Sequence, residues 1–161
     1  MLEALKEAKK ALKKEEVPVG AVAVKDGKII ARAHNIRETL TDPTAHAEII
    51  CVKKAAKKLG GWRLNGVTLY STLEPCAMCA GAIIHARVKE LVFGAYDEKA
   101  GACGSRLDLT KEGLLNHKLK VSGGILGEEC SGILGSFFGK LRKQKMVSSQ
   151  HTAESREYSK K

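Results

Sequence analysis

His46, Cys76 and Cys79 are the residues of this chain best suited to bind a transition metal, and Glu48 supplies a carboxylate beside them. They fall in two short runs, His46-Ala47-Glu48 and Pro75-Cys76-Ala77-Met78-Cys79. One imidazole and two thiolates fill three corners of a tetrahedral zinc ion; a site with three protein ligands keeps its fourth position for water, whereas a structural site closes it. Glu48, two residues beyond the histidine, then serves better as a proton carrier for that water than as a ligand. Either half alone says little. A Cys-x-x-Cys also occurs as half of a structural zinc site or as a redox pair, and an isolated His-x-Glu is close to chance. Cys51, Cys103 and Cys130 have no paired spacing that would supply a fourth ligand, and read as small core residues.

Two helices must present these groups. Asp42-Pro43-Thr44 offers a cap and first turn for a helix running to Leu59, with Gly60-Gly61 as its stop. Pro75 opens a second, to Ala86, so Cys76 and Cys79 share its first turn and one face. Both positive helix ends then point at the metal and favour thiolate. On a regular helix, residues two apart lie roughly 200° apart around the axis, so His46 and Glu48 share one water only where the helix starts.

Around this pair, Leu2, Leu5, Ala8 and Leu12 mark an amphipathic helix covering one face of a sheet. Residues 17–24 and 28–34 are β-rich runs joined at Asp26-Gly27, a hairpin signal. Residues 67–73 form a strand leading into the cysteine helix, and 88–95 a further one that the helical crossover makes parallel to it. A weaker strand follows at 120–126. From Glu128 a helix carries Ile133, Leu134, Phe137, Phe138 and Leu141 on one stripe and ends in Lys140, Arg142, Lys143 and Lys145. Past Met146 the chain is polar and aperiodic, so the expected organisation is one domain over 1–145 and a flexible tail over 146–161.

Composition narrows the classes. A chain of 161 residues has room for one core. No apolar run approaches the roughly 20 residues of a membrane span. Five cysteines, an odd number, without a signal peptide fit a reducing cytoplasm rather than a disulfide framework. The 28 Lys and Arg against 18 Asp and Glu leave a formal charge of +10, which suits a polyanion such as RNA, although lysine-rich helix faces also serve solubility alone.

From Glu16 to Lys145 the chain resembles the bacterial tRNA-specific adenosine deaminases of the cytidine-deaminase-like superfamily. The resemblance is carried by EVPVGAVAV, AHNIRE, DPTAHAEI, WRLNGVTLYSTLEPCAMCAGAIIHAR, VFGAYDEKAG, LNH and SGGILGEECSGILGSFFGKLRKQK. It implies a three-layer α/β/α fold with a five-stranded mixed sheet, and a homodimer with each active site near the subunit boundary. It also implies one zinc per subunit on His46, Cys76 and Cys79, with Glu48 as proton shuttle. The implied reaction is hydrolysis of the wobble adenosine to inosine in a tRNA anticodon stem-loop, with an arginine tRNA as the expected substrate. Asn35 matches an asparagine that contacts the purine; a turn residue after a strand is the competing reading. Asp97, Glu98 and Lys99, the pair Asn116-His117 and the pair Phe137-Phe138 match positions near the bound loop, and Lys140 to Lys145, with Arg142 among them, a stretch that meets the RNA backbone. Core packing competes for the two phenylalanines, a loop end for Asn116-His117 and a solvated helix end for the cations. Arg106 departs from the pattern with a charge where relatives often carry an apolar residue. A guanine or other free-base deaminase could share the metal motif, and a zinc-stabilised RNA-binding module without catalysis is the reading from another class; the basic last helix opposes the first and Glu48 the second.

Overall fold

The computed structural model describes residues 1–158, with side chains through Met146. Helix α1 (Leu2–Lys13) is followed by the hairpin β1 (Gly20–Lys25) and β2 (Lys28–His34), a one-turn helix α2 (Arg37–Leu40), α3 (Ala47–Leu59), β3 (Thr68–Leu73), α4 (Ala77–His85), β4 (Glu90–Ala95), β5 (Lys120–Ser122) and α5 (Gly127–Tyr158). The five strands form one sheet in the order β2-β1-β3-β4-β5. β1 is antiparallel to β2 and β3, while β3, β4 and β5 are parallel. α1 and α5 pack on one face, α3 and α4 on the other, which makes the three layers expected. The tail expected over 146–161 falls on the end of α5, where only Met146 has a described side chain, and on residues 159–161, which lie outside the described residues.

Local chemistry accounts for most of these elements. Asp26 and Gly27 both have positive φ, 49° and 71°, as a two-residue hairpin turn of matching twist requires. α1 buries Leu5 and Ala8 of the expected stripe together with Ala4 and Ala11, while Leu12 is half-buried and Leu2 exposed. The reason is close approach. A Cβ on Gly20 would lie 2.1 Å from the Ala4 carbonyl oxygen, so the helix meets β1 backbone to backbone and only its alanine face fits the gap. The core between sheet and helices sets the small Ala21 and Ala23 of β1 beside the larger Leu69, Ile83, Leu91 and Phe93. Cys51, Cys103 and Cys130 are buried thiols within it, as expected, and all five cysteines are free. Burial pushes the Cys51 and Cys103 thiols up to about 12, which leaves them inert at neutral pH. Among the described residues no helix is long and apolar enough to cross a membrane.

Candidate active site

The metal-binding trio forms where α3 and α4 begin. The helix expected to start at Asp42 starts at Ala47: Asp42 Oδ1 accepts from the Thr44 N–H at 2.8 Å and its hydroxyl at 2.7 Å, closing a separate turn. His46 is therefore the N-cap, with extended φ −75° and ψ 150°, and Glu48 sits in the first helical turn. The angular conflict between residues two apart is removed because His46 lies outside the regular helix. Cys76 is likewise the N-cap of α4, with φ −70° and ψ 173°, and Cys79 is one turn in.

His46 Nδ1 lies 3.8 Å from Cys76 Sγ and 3.6 Å from Cys79 Sγ, and the three donor atoms all fall within 4.8 Å of one another. Tetrahedral zinc with its usual bond lengths to sulfur and nitrogen sets those atoms about 3.6 Å apart, so the donor set fits zinc in type and in spacing. The three groups also shape one another's protonation. The Cys79 thiol donating to the Cys76 sulfur, aided by His46, brings Cys76 down to about 4. Holding that proton drives Cys79 up, and the Cys76 sulfur raises His46. Cys76 is thus held as the thiolate, while Cys79 and His46 keep protons that a bound divalent cation would displace. Glu48 is 4% exposed, and burial pushes its carboxyl up to about 7, the range in which a carboxylate both takes and gives protons at neutral pH.

The trio opens into a cleft of about 150 Å³ lined by Val19, Asn35, Arg37, Glu48, Leu73 and Asp97 among others, smaller than the ~300–1,000 Å³ of drug-sized sites and suited to a single base. Val17, Leu73 and Asp97 also line an adjoining groove of about 670 Å³ that runs past Glu98 and Lys99 to Phe138 and Arg142 on α5. The two together make a base-sized pit at the end of a wider, partly cationic trough.

Asn35 is buried and donates from Nδ2 to Glu16 at 3.2 Å, leaving its second N–H and its carbonyl oxygen for a ligand. It is a cleft residue and not merely a turn. The two phenylalanines separate: Phe137 is buried, Phe138 is 42% exposed in the groove, and their rings meet edge to face at 5.3 Å. Asn116 and His117 are not brought to the cleft. Asn116 accepts from Arg87 through its backbone and side-chain oxygens, and His117 Nε2 meets the Val88 carbonyl at 2.7 Å, which ties both to the far end of α4. Lys140 lies two residues from both Phe138 and Arg142, roughly 200° around α5 from each, and is not in the groove lining. Arg106 is exposed, with its N–H on the Gly101 carbonyl. Sequence reasoning missed Arg37, a guanidinium at the cleft mouth, and the buried carboxylates Glu16 and Glu74. A single acidic residue at the edge of an apolar strand, as in Leu73-Glu74-Pro75, was the signal available for Glu74.

The family model of MafB19-like deaminases matches residues 1–142. The tRNA-specific adenosine deaminase of Bacillus subtilis is 53% identical over 154 residues, 96% of each chain. The chain belongs to the tRNA-specific adenosine deaminase family. That of Haemophilus influenzae is 51% identical, covering 89% of this chain and 84% of that one. Among solved structures, one from work on A-to-I editing by tRNA A34 deaminases at the wobble position superposes with a TM-score of 0.80 at 46% identity, covering 83% of this chain and 97% of that one. A guanine deaminase from Nitrosomonas europaea follows the same fold at 25% identity, with a TM-score of 0.73 over 83% of this chain and 80% of that one. Membership of the tRNA-specific adenosine deaminase family agrees with the His46, Cys76, Cys79 and Glu48 constellation already described.

Proposed function

We propose that this protein hydrolyses the wobble adenosine of a tRNA anticodon to inosine, with an arginine tRNA as substrate and zinc as the metal. The observation that carries the reading is the joining of a base-sized cleft at His46, Cys76, Cys79 and Glu48 to a trough ending in Phe138 and Arg142. A free base needs the first and has no use for the second.

His46, Cys76 and Cys79 would hold the zinc, which when bound lowers the pKa of a coordinated water and makes a nucleophile available near neutral pH. Glu48 would take one proton from the water that attacks the purine carbon bearing the amino group and pass it to the ring nitrogen beside it, then take the second from the hydroxyl that carbon has gained and pass it to the departing ammonia. Adenosine and water give inosine and ammonia. Asn35 orients the purine through its free amide groups, and Val19 and Leu73 keep bulk water from the ring. The target base must leave its stack, which an anticodon loop permits more cheaply than a duplex. Phe138 offers a stacking face and Arg142 and Lys99 offer charge for the loop that remains outside.

The domain reading of 1–145 as the catalytic unit belongs to this proposal, as does a homodimer. Apolar surface at Met78, Leu107, Leu114 and Leu115 supports a second copy as its cover.

The test is inosine formation in an arginine-tRNA anticodon stem-loop, beside a loop with guanosine at the wobble position and free guanine. Conversion of the adenosine loop alone is expected. Ammonia release from guanine with an untouched adenosine loop would make the protein a free-base deaminase, and tight loop binding without turnover by zinc-loaded protein would make it a binding module.

A further inference from the structure

Glu74 follows β3 directly, beside Pro75 and Cys76, and is 1% exposed. Its carboxylate meets four donors, all neutral. Oε1 accepts from the Cys103 and Ser105 N–H groups, each at 3.0 Å, and Oε2 from the Asp97 N–H at 3.1 Å and the Ser105 hydroxyl. A buried carboxylate is tolerated only when its lone pairs are filled in this way. All four donors belong to one segment, 97–105, which closes one side of the cleft.

The segment is held close from both directions. The Ala102 N–H donates to the Pro75 carbonyl at 2.9 Å, and a Cβ on Gly101 would lie 2.4 Å from the Glu74 carboxyl carbon and 2.5 Å from the Asp97 carbonyl oxygen. No side chain fits between the loop and the carboxylate. Asp97 is the residue at the near end; it lines cleft and trough alike, and its Oδ1 accepts from the Lys99 and Ala100 N–H groups at 3.0 and 3.1 Å. Whatever sets the position of the Asp97 backbone therefore sets the wall between the base and the rest of the loop.

We propose that Glu74 is a positioning residue for this reaction: its carboxylate fixes the 97–105 segment over the metal-binding trio and so places Asp97 and Lys99 against the RNA. The proposal rests on the deaminase reading above. Glutamine at this position separates placement from mere filling of space. Its carbonyl oxygen serves the paired Cys103 and Ser105 amides. Its NH2 then faces the Ser105 hydroxyl, which can rotate to accept, and the Asp97 N–H, which cannot.

The test uses the zinc-loaded full chain as wild type, E74Q, S105A and G101A, with an adenosine anticodon stem-loop as substrate. For E74Q we expect KM raised about tenfold, the scale of one lost hydrogen bond to a charged group, with kcat within about twofold and zinc content unchanged. Amide hydrogen exchange should quicken at Asp97 and stay slow through α3 and α4. S105A, which keeps all three amide bonds, should stay folded and show a smaller rise. G101A, pushing the segment off the carboxylate from the other side, should raise KM as E74Q does, and the double variant should be no worse than the poorer single one. E74Q with wild-type KM and wild-type exchange at Asp97, or a loss of activity that tracks zinc loss alone, overturns the proposal. A wild-type protein inert on the loop sinks the deaminase reading instead, and the Asp97 exchange rate then decides by itself whether Glu74 holds the segment.

Discussion

Asn35 donates a hydrogen bond from Nδ2 to Glu16 Oε2 at 3.2 Å, joining the residue after β2 to one that precedes β1, with both side chains buried. The same carboxylate accepts from the Thr39 N–H at 2.6 Å and the Glu38 N–H at 3.2 Å, so it also ties down the turn that carries Arg37 to the cleft mouth. Glu16 thus serves Asn35 as Glu74 serves Asp97, one buried carboxylate on each flank of the base site. Glu16→Gln sets an NH2 against donors that cannot accept, and kcat/KM on the adenosine stem-loop should fall about tenfold. Combined with Asn35→Ala, it should add little to the loss from Asn35→Ala alone, because both act through one amide. Fully additive losses would mean that Glu16 acts elsewhere.

Glu48 shares the first turn of α3 with no other carboxylate, and its role as proton carrier rather than ligand makes a separable prediction. Glu48→Gln keeps shape and burial while removing the transferable proton. Turnover should drop by about 10²–10⁴ with metal content equal to wild type. Metal analysis of the purified variant decides it, since loss of zinc alongside activity would make Glu48 a ligand.

How far the sequence carried can be read from particular residues. The metal trio was legible because ligand type and spacing are themselves the chemistry, and the strands because their apolar runs are bounded by turn residues. His46 as N-cap was half legible: the angular conflict pointed to a helix start, but the Asp42-Thr44 turn that displaces that start needs coordinates. Asn116 and His117 lie away from the cleft for a topological reason. β4 and β5 are parallel, so the chain between them leaves at the carboxyl end of β4 and must return to the opposite end before β5 begins. Its first half, 97–105, stays at the site and its last half, 116–117, cannot. Glu16 and Glu74 were hard to read because most of their partners are backbone N–H groups, which have no letter in a sequence.

Stability should depend on acid through Glu16 and Glu7. Burial, the largest single influence on each, raises its pKa. The Thr39 and Glu38 groups around Glu16 outweigh it, as do Lys10 and His34 beside Glu7, so both carboxyls lie below their ordinary value. A group with a depressed folded pKa contributes in full above its unfolded pKa, about 4.3 for glutamate, and loses that contribution as pH falls through the folded value. Urea midpoints should therefore decline steeply between about pH 5 and pH 3, and an E7Q/E16Q variant, lower at neutral pH, should decline less over that window. Parallel curves for the two proteins would remove these carboxyls from the acid response.

Adjacent on α5, Phe137 and Phe138 should fail in opposite ways when truncated. Phe137 is 8% exposed, so Phe137→Ala opens a cavity and should cost about 3–5 kcal/mol of stability, with binding affected only through unfolding. Phe138 is 42% exposed at the trough, so Phe138→Ala should leave the melting temperature nearly unchanged and weaken stem-loop binding by about 1–3 kcal/mol, the worth of one stacked base. Arg142 shares that trough and should contribute one phosphate contact: Arg142→Ala should reduce the slope of log K against log salt by about 0.7, as for a single-stranded partner. Lys140, on the other side of the helix, should leave both the slope and kcat/KM on a short loop unchanged when replaced by alanine. Titrations of the four variants at two salt concentrations, beside thermal melts, read all of this at once. A salt response lost from Lys140 instead of Arg142 would turn the RNA away from the trough and onto the opposite face of α5.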